Sequence, residues 1–192
     1  MVSLHLSQQP EADALLDRDP LALLIAMLLD QQIPLERAFS APLELSQRLG
    51  RDLDARELAE YDPDAFAAAF AQRPALHRFP GSMAKRVQEL CRVLVERYHG
   101  DAAAVWTEAS SGEDVRLRLT GLPGFGEQKA RIFLALLGKQ LGVNPPGWRE
   151  AAGSYGEEGV YRSVADITDE DSLREVRAYK QRAKAAAKAS KS

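Results

Sequence analysis

Apolar residues recur at helical spacing along most of the chain, and no segment shows the apolar-polar alternation of a half-buried strand. The clearest case follows Asp19-Pro20, a capping residue and a first-turn proline, with apolar side chains at Leu21, Leu24, Ile25, Leu28 and Leu29. Pro34 disfavours helical backbone at Ile33. We therefore predict a buried helix that ends in a turn at Asp30-Gln31-Gln32-Ile33-Pro34.

The same periodicity predicts helices along the rest of the chain, which indicates an all-α protein. Their expected bounds are residues 35–39, 41–49, 55–60, 63–72, 82–99, 102–106, 112–119, 131–137 and 169–184, with Gly100 and Gly138 as helix stops. Glycine and proline are frequent from Gly142 to Gly159, which predicts a loop. Beyond Arg182 we expect a frayed basic tail.

Composition is that of an ordinary globular protein. The 192 residues suffice for one core or two small lobes, and shares of 45% hydrophobic and 28% charged residues indicate neither disorder nor membrane insertion. The longest apolar run, residues 21–29, is shorter than the roughly 20 residues that span a bilayer, and the N-terminus lacks a signal-peptide pattern. We expect a cytoplasmic protein, associated with the nucleoid if its source is bacterial.

Charge is distributed unevenly. Residues 174–192 carry seven basic residues and one acid, a net +6, so the total of −3 leaves −9 on residues 1–173. We accordingly predict a helical domain at 1–173 and a basic alanine- and lysine-rich tail at 174–192. Cys91 is the sole cysteine, which excludes an internal disulfide, and the three histidines lack the spacing of a zinc site. No cofactor and no side-chain metal site is expected.

The candidate chemistry lies between two predicted helices. Gly124 and Gly126 allow a backbone turn in which successive N–H groups point outward at the N-terminus of the following helix. Such amides bind phosphate, and Lys129 lies in the first helical turn, where its ammonium can reach a phosphate oxygen. The alternative is that Gly124-Phe125-Gly126 is only a tight connection between helices.

Residues 122–130 resemble the hairpin of the helix-hairpin-helix glycosylase superfamily (HhH-GPD, endonuclease III-like), in which Leu-Pro-Gly-apolar-Gly precedes a polar pair and Ala. Residues 24–32, which end in Gln31-Gln32, and residues 81–87, which open a middle helix, are similar to the same family. The three matches stand in the family's order within residues 19–144. The resemblance implies a two-lobed helical fold with a DNA site in the cleft between the lobes.

In that family, the amide at the position of Gln32 enters the duplex where a nucleotide has been flipped out, so the resemblance implies double-stranded DNA, damaged or not, as the partner. Unstacking a base costs on the order of a few kcal/mol, which a side chain in the vacated stack offsets in part. The DNA contacts implied are Gln32, Gly124, Phe125, Gly126, Lys129 and Lys85, with Arg86 beside it. The resemblance also implies a place for a monovalent cation at the backbone of Leu122 and Gly124.

Purely structural roles are the alternatives for several of these residues. Gln31 or Gln32 can instead cap a helix, and Lys85 and Arg86 can instead form a solvated face. Trp148, Tyr155 and Tyr161 are expected either to stack on a base or to anchor the loop.

The family's catalytic positions are not matched. Its glycosylases use an aspartate after the hairpin, where Asn144 or Pro145 stands here, and neither can act as a carboxylate. Bifunctional members place a Schiff-base lysine at the position of Gln128. Lys129 is the next residue but is rotated by about 100° around the helix, so lyase chemistry is not expected. The family's four-cysteine iron-sulfur motif is absent as well.

Acids elsewhere can substitute for the missing aspartate, although the surface is their usual place; those after the hairpin are Glu150, Glu157, Glu158 and Asp166. We favour a monomeric protein that recognises damaged or distorted duplex DNA, with weak or no catalysis. One alternative is a monofunctional DNA glycosylase, an N-glycosyl hydrolase that releases a damaged base with a non-standard acid. Another is a helical protein-interaction domain.

Overall fold

The computed structural model describes residues 4–191, and all regular secondary structure in that part of the chain is helical. The prediction of an all-α protein is therefore confirmed. The α-helices are α1 (Pro10–Arg18), α2 (Pro20–Leu29), α3 (Leu35–Leu49), α4 (Ala55–Glu60), α5 (Pro63–Ala71), α6 (Pro80–Tyr98), α7 (Ala104–Thr107), α8 (Gly112–Thr120), α9 (Glu127–Gln140), α10 (Trp148–Ala152) and α11 (Glu170–Ala189).

Side-chain caps fix the starts of the first-half helices where the sequence indicates them. The carboxylate of Asp19 accepts a hydrogen bond from the Leu21 amide at 3.0 Å, and Pro20 follows as the first residue of α2. Asp54 and Asp62 cap α4 and α5 in the same manner. α2 is buried from Leu21 to Leu29, as predicted.

Two predicted segments, residues 35–39 and 41–49, are a single helix. α3 continues through Pro42, which removes one backbone hydrogen-bond donor from the helix. Phe39 and Leu45 on either side are buried in the core, and their burial compensates for the missing bond. α1 has no counterpart among the predicted helices.

The prediction that Gly138 stops α9 is wrong, because the helix continues through it to Gln140. The reason is tertiary: the Trp148 ring lies against the backbone at Gly138, and a Cβ there would meet its Cε3 atom at 2.4 Å. The glycine thus provides a flat surface for a buried indole. Trp148 itself opens α10, so the predicted loop at 142–159 contains a short helix and a 3₁₀ turn at Gly153–Gly156.

The C-terminal segment forms a long helix instead of a frayed tail. α11 begins with a capping box between Asp169 and Ser172, and buries Leu173 and Val176 near its start. The alanine- and lysine-rich remainder has high helix propensity, which accounts for its continuation to Ala189. The predicted boundary between residues 173 and 174 lies inside this helix, and the division into domain and tail remains a prediction.

Packing separates the helices into two groups around one continuous apolar core. α1 to α6 pack mainly on one another, whereas α7, α8 and α10 and the two 3₁₀ turns pack around α9. The side chain of Leu28 on α2 contacts the turn that precedes α9 and so joins the groups. None of the helices in the described part of the chain combines the length and the apolar character needed to cross a bilayer.

Candidate nucleic-acid interface

In the turn after α2, Gln32 is exposed to solvent and Gln31 caps the end of the helix. Gln31 donates from Nε2 to the Leu28 carbonyl at 3.0 Å, so it satisfies one of the free acceptors at the helix end. Gln32 is exposed and has a left-handed backbone with φ of 58°. A non-glycine residue in this conformation is strained, and such strain is typical of functional turns. The expected helix-capping role therefore belongs to Gln31 and leaves the Gln32 side chain free.

His77 holds this turn in place from the segment before α6. Its Nε2 lies 2.9 Å from the Gln31 carbonyl oxygen, while its Nδ1 accepts a hydrogen bond from the Phe79 amide at 3.0 Å. Because Nδ1 is an acceptor, Nε2 carries the proton and the ring is neutral. Burial lowers the pKa of His77, and the nearby charge of Lys129 lowers it further against the opposing hydrogen bonds to the Gln31 and Leu29 backbone.

The hairpin between α8 and α9 is a tight turn stabilised by its own backbone. The Phe125 amide donates to the Leu122 carbonyl at 3.1 Å across Pro123 and Gly124, whose φ is 84°. Proline followed by a residue of positive φ is the type II arrangement. A Cβ at Gly124 would also meet Cγ of Leu28 at 3.1 Å, so the turn packs directly on α2.

The N-terminus of α9 lacks a side-chain cap. Gly126 occupies the N-cap position, is exposed, and has open space where a Cβ would stand. No described residue accepts a backbone hydrogen bond from the amide of Gly124 or Gly126. The Phe125 side chain, in contrast, is buried with its ring edge-on to Phe133, and its amide is used within the turn.

Glu127 stands in the first turn of α9, where its negative charge opposes an anion at the helix end. Its carboxylate is held to one side by two guanidinium groups, those of Arg116 and of Arg131, the second at 3.2 Å. The Gly126 amide, which donates no hydrogen bond to a described residue, is thus left free for a ligand.

Lys129 points to the end of α2. Its Nζ donates to the carbonyl oxygens of Leu28 at 3.3 Å and Asp30 at 3.4 Å. Burial lowers its pKa, and Arg86 adds to that effect, whereas Asp30 opposes it. Lys85 and Arg86 are exposed near the start of α6, and Arg86 lies 3.9 Å from Glu89. Contact of these residues with DNA stays a prediction.

A cleft of about 610 Å³ opens between the turn after α2 and the first turns of α9, and one face of α11 forms a wall of it. The cleft includes two of the predicted DNA contacts, Gln32 and Lys129, together with Gln128. Its full lining is Met27, Asp30, Gln31, Gln32, Ile33, Gln128, Lys129, Ile132, Tyr155, Arg162, Tyr179, Lys180, Ala183 and Lys184. Its volume lies within the ~300–1,000 Å³ range of small-molecule sites.

The aromatic residues after the hairpin have different environments. Tyr155 lines the cleft and accepts a hydrogen bond from Gln128 Nε2 at 2.9 Å. Trp148 is a buried anchor, and Tyr161 is 46% exposed outside the cleft. Of the three aromatic residues singled out in the sequence, Tyr155 is the one that lines the cleft, where Tyr179 of α11 provides a second ring.

The positions considered for the missing aspartate lie away from the cleft. Asn144 is exposed and donates from Nδ2 to the Gly138 carbonyl at 3.0 Å. Asp166 accepts from Lys139 Nζ at 2.6 Å and from the Arg162 amide at 2.8 Å, so it has a structural role. The three glutamates line a separate surface groove at Glu150, Glu157 and Glu158. Within residues 4–191 no three His, Cys, Asp or Glu side chains converge to bind a metal ion, and a monovalent cation at Leu122 and Gly124 remains a prediction.

Two features of the cleft are not predicted from the sequence. In the sequence analysis, Asp30 appears only as part of the turn motif. An acid at the negative end of a helix is electrostatically unfavourable, and this placement is the signal that could have identified it. The second feature is the α11 wall, where Val176 is buried and Tyr179, Lys180 and Ala183 line the cleft. The positions 176, 179, 180 and 183 have the spacing of one helix face, which is visible in the sequence. Arg177 on the same helix pairs with Glu36 of α3.

Comparison with known proteins agrees with this architecture. No curated protein matches the chain. A family model described as HhH-GPD superfamily base excision DNA repair protein matches residues 25–192, a span that includes the glutamine turn, the hairpin and the cleft. The chain therefore belongs to the HhH-GPD superfamily of base excision DNA repair proteins.

Proposed function

We propose that this protein binds duplex DNA at damaged or distorted positions, with the hairpin on a backbone phosphate and the cleft open to an extruded nucleotide. The observation that carries the proposal is the uncapped, exposed N-terminus of α9 at Gly126, next to a cleft with basic residues on its wall. Membership in a base excision repair superfamily supports DNA as the ligand.

The hairpin supplies a phosphate contact that does not depend on base sequence. The Gly126 amide and the positive end of the α9 dipole attract an anion without a competing side-chain cap. Contacts of this kind fix the register of the protein on the duplex. The hydrogen bond of the type II turn and its packing on Leu28 constrain the backbone of the hairpin.

The cleft suits an extruded nucleotide in both size and charge. Lys180, Lys184 and Arg162 line it and can neutralise phosphates beside the flipped position. Tyr155 offers a ring for stacking on a base. Gln32 is exposed, and His77 holds the backbone of its neighbour Gln31; in this proposal the Gln32 side chain fills the vacated stack.

The test uses the open space at Gly126. Gly126→Asp would cap α9 from within the chain, and would place a carboxylate where the phosphate is proposed to bind. We expect about tenfold weaker binding of a duplex with an abasic-site analogue at low salt, together with an unchanged or slightly higher Tm. Fluorescence anisotropy and thermal denaturation measure the two quantities.

Gly126→Ala is the matched control, because it adds a Cβ in the same open space without a cap or a charge. Its affinity is expected to stay within about threefold of the parent protein. If Gly126→Asp binds the duplex as tightly as Gly126→Ala, the hairpin amides do not hold a phosphate. If the parent protein binds no duplex at low salt, the function is not DNA binding.

A further inference from the structure

Asp30 brings a carboxylate into the cleft. Of the cleft-lining side chains within residues 4–191, it is the one that carries an acid. Glu150, Glu157, Glu158 and Asp166 are all absent from the lining. The acid that the sequence lacks after the hairpin is therefore present in the same cleft, contributed by α2.

The surroundings of Asp30 make a carboxylate at this position unfavourable for the stability of the fold. It is the C-cap residue of α2, where the negative end of the helix dipole repels a carboxylate. Its carboxylate has no hydrogen bond or ion pair with any residue in the described part of the chain, although burial raises its pKa. An acidic residue at a place where folding favours a neutral one is typical of a functional site.

Two lysines from different helices offset part of the effect of that burial on the pKa of Asp30. Lys129 on α9 and Lys180 on α11 both line the cleft, and their charges favour the ionised form of Asp30. Arg162 and Lys184 are the other cationic groups in the lining. Asp30 thus lines the cleft among cationic groups, and its ionised form can meet a cationic sugar.

We propose that Asp30 is the catalytic carboxylate for hydrolysis of an N-glycosidic bond in a nucleotide extruded into the cleft. This inference rests on the proposed DNA-binding function and adds a reaction to it. Asp30 is two residues before Gln32, so one turn of the chain would serve both recognition and reaction.

The reaction consumes one water molecule. The bond between C1′ and the base nitrogen breaks, and its electron pair leaves with the base. The ionised Asp30 carboxylate stabilises the cationic sugar and removes a proton from water as the water oxygen bonds to C1′. That proton passes to the departing base, so the products are the free base and an abasic site.

The experiment compares Asp30→Asn with Glu150→Gln, which removes a charge outside the cleft. Single-turnover base release is measured on duplexes that each contain one uracil, hypoxanthine, 8-oxoguanine or N7-methylguanine. Binding of a duplex with an abasic-site analogue is measured in parallel, and thermal denaturation checks the fold. We expect release by Asp30→Asn to fall by about 100-fold or more, with binding as tight as the parent or tighter. Glu150→Gln is expected to match the parent.

The outcomes separate this inference from the proposed function. Release by Asp30→Asn within about threefold of the parent would overturn the role of Asp30. The same conclusion follows if the parent protein binds the abasic duplex but releases no base from any member of the panel. A parent protein that binds no duplex would instead remove the proposed function on which the inference rests.

Discussion

At the scale of single residues, Asp30 is expected to cost stability. Because burial raises its pKa, the folded protein binds this proton more tightly than the unfolded chain, and ionisation at neutral pH lowers the free energy of unfolding. Asp30→Asn should therefore raise the Tm by about 2–5 °C at pH 7. The increase should shrink as the pH is lowered through the pKa of Asp30, which thermal melts across pH can measure.

Glu150→Gln provides the comparison for that stability measurement too, since Glu150 is exposed. Its Tm should stay close to that of the parent at every pH. A lower Tm for Asp30→Asn at pH 7 would mean that the carboxylate stabilises the fold, and that its position is structural.

For His77 we expect the opposite pH dependence of the free energy of unfolding. Its pKa is lower in the folded protein than in the unfolded chain, so its contribution to stability is complete above about pH 6.5 and is lost as the pH falls toward the lowered value. Urea unfolding of the parent should show this loss between pH 7.5 and 5.5. At pH 7.5, the free energy of unfolding of His77→Gln should be about 1–3 kcal/mol lower than that of the parent, because buried hydrogen bonds are removed. It should also fall less as the pH is lowered. Equal declines in the two proteins would exclude His77 as the cause.

The sequence predicts single residues where local rules decide, and fails where packing decides. The turn at Gln31 and Gln32 follows from Pro34, and the hairpin follows from the glycines and Pro123. Which glutamine caps the helix, and that Asp30 faces a cleft, depend on where α9 and α11 lie. Those helices are distant in sequence, so no local pattern around Asp30 contains that information.

At the scale of helices, Gly138 and Gly81 offer a matched pair. Gly138→Ala would place a Cβ 2.4 Å from the Trp148 ring, and should reduce the free energy of unfolding by about 1–3 kcal/mol. Gly81→Ala lies in α6 with no atom within 4 Å of the new Cβ. It should raise stability by up to about 1 kcal/mol, because alanine favours helix. Chemical denaturation measures both, and similar effects in the two variants would contradict the packing described for Trp148.

Gly138 also shows why sequence patterns can misplace a helix end. Glycine is common where helices stop, and the sequence around residue 138 offers no sign that an indole from a later segment will cover it. The bounds of α4 and the start of α2 agree with prediction because capping aspartates act over three residues. Tertiary packing overrides such local signals.

The C-terminal segment gives a prediction about position along its length. Lys180 and Lys184 line the cleft, whereas Lys188 and Lys191 lie beyond it. Replacing the first pair with glutamine should weaken duplex binding and reduce the slope of log K against log salt by about 0.9 for each phosphate that is no longer neutralised. The same replacement of Lys188 and Lys191 should change the slope less. Affinity measured from 50 to 200 mM salt distinguishes them, and equal slopes would mean that α11 acts only as a diffuse basic tail.

At the scale of the whole molecule, the uneven distribution of charge along the chain becomes a distribution in space. Residues 174–192 carry +6 and the preceding residues −9, and the structure places two of the basic side chains of that segment, Lys180 and Lys184, on the α11 wall of the cleft. The acidic remainder repels the duplex elsewhere, so approach should be favoured at the cleft. The sequence shows the imbalance, but its position in space requires the fold.

Both tryptophans of the chain lie beside α9. Trp106 packs against the Phe133 ring at a centroid distance of 5.6 Å, and Trp148 covers Gly138, whereas α1 to α6 contain none. Tryptophan emission, excited apart from the tyrosines, is thus a built-in optical reporter for the surroundings of α9, while far-ultraviolet circular dichroism samples every helix. Recording both signals in one denaturation series will show whether the halves melt as a single cooperative unit, without any dye or engineered label.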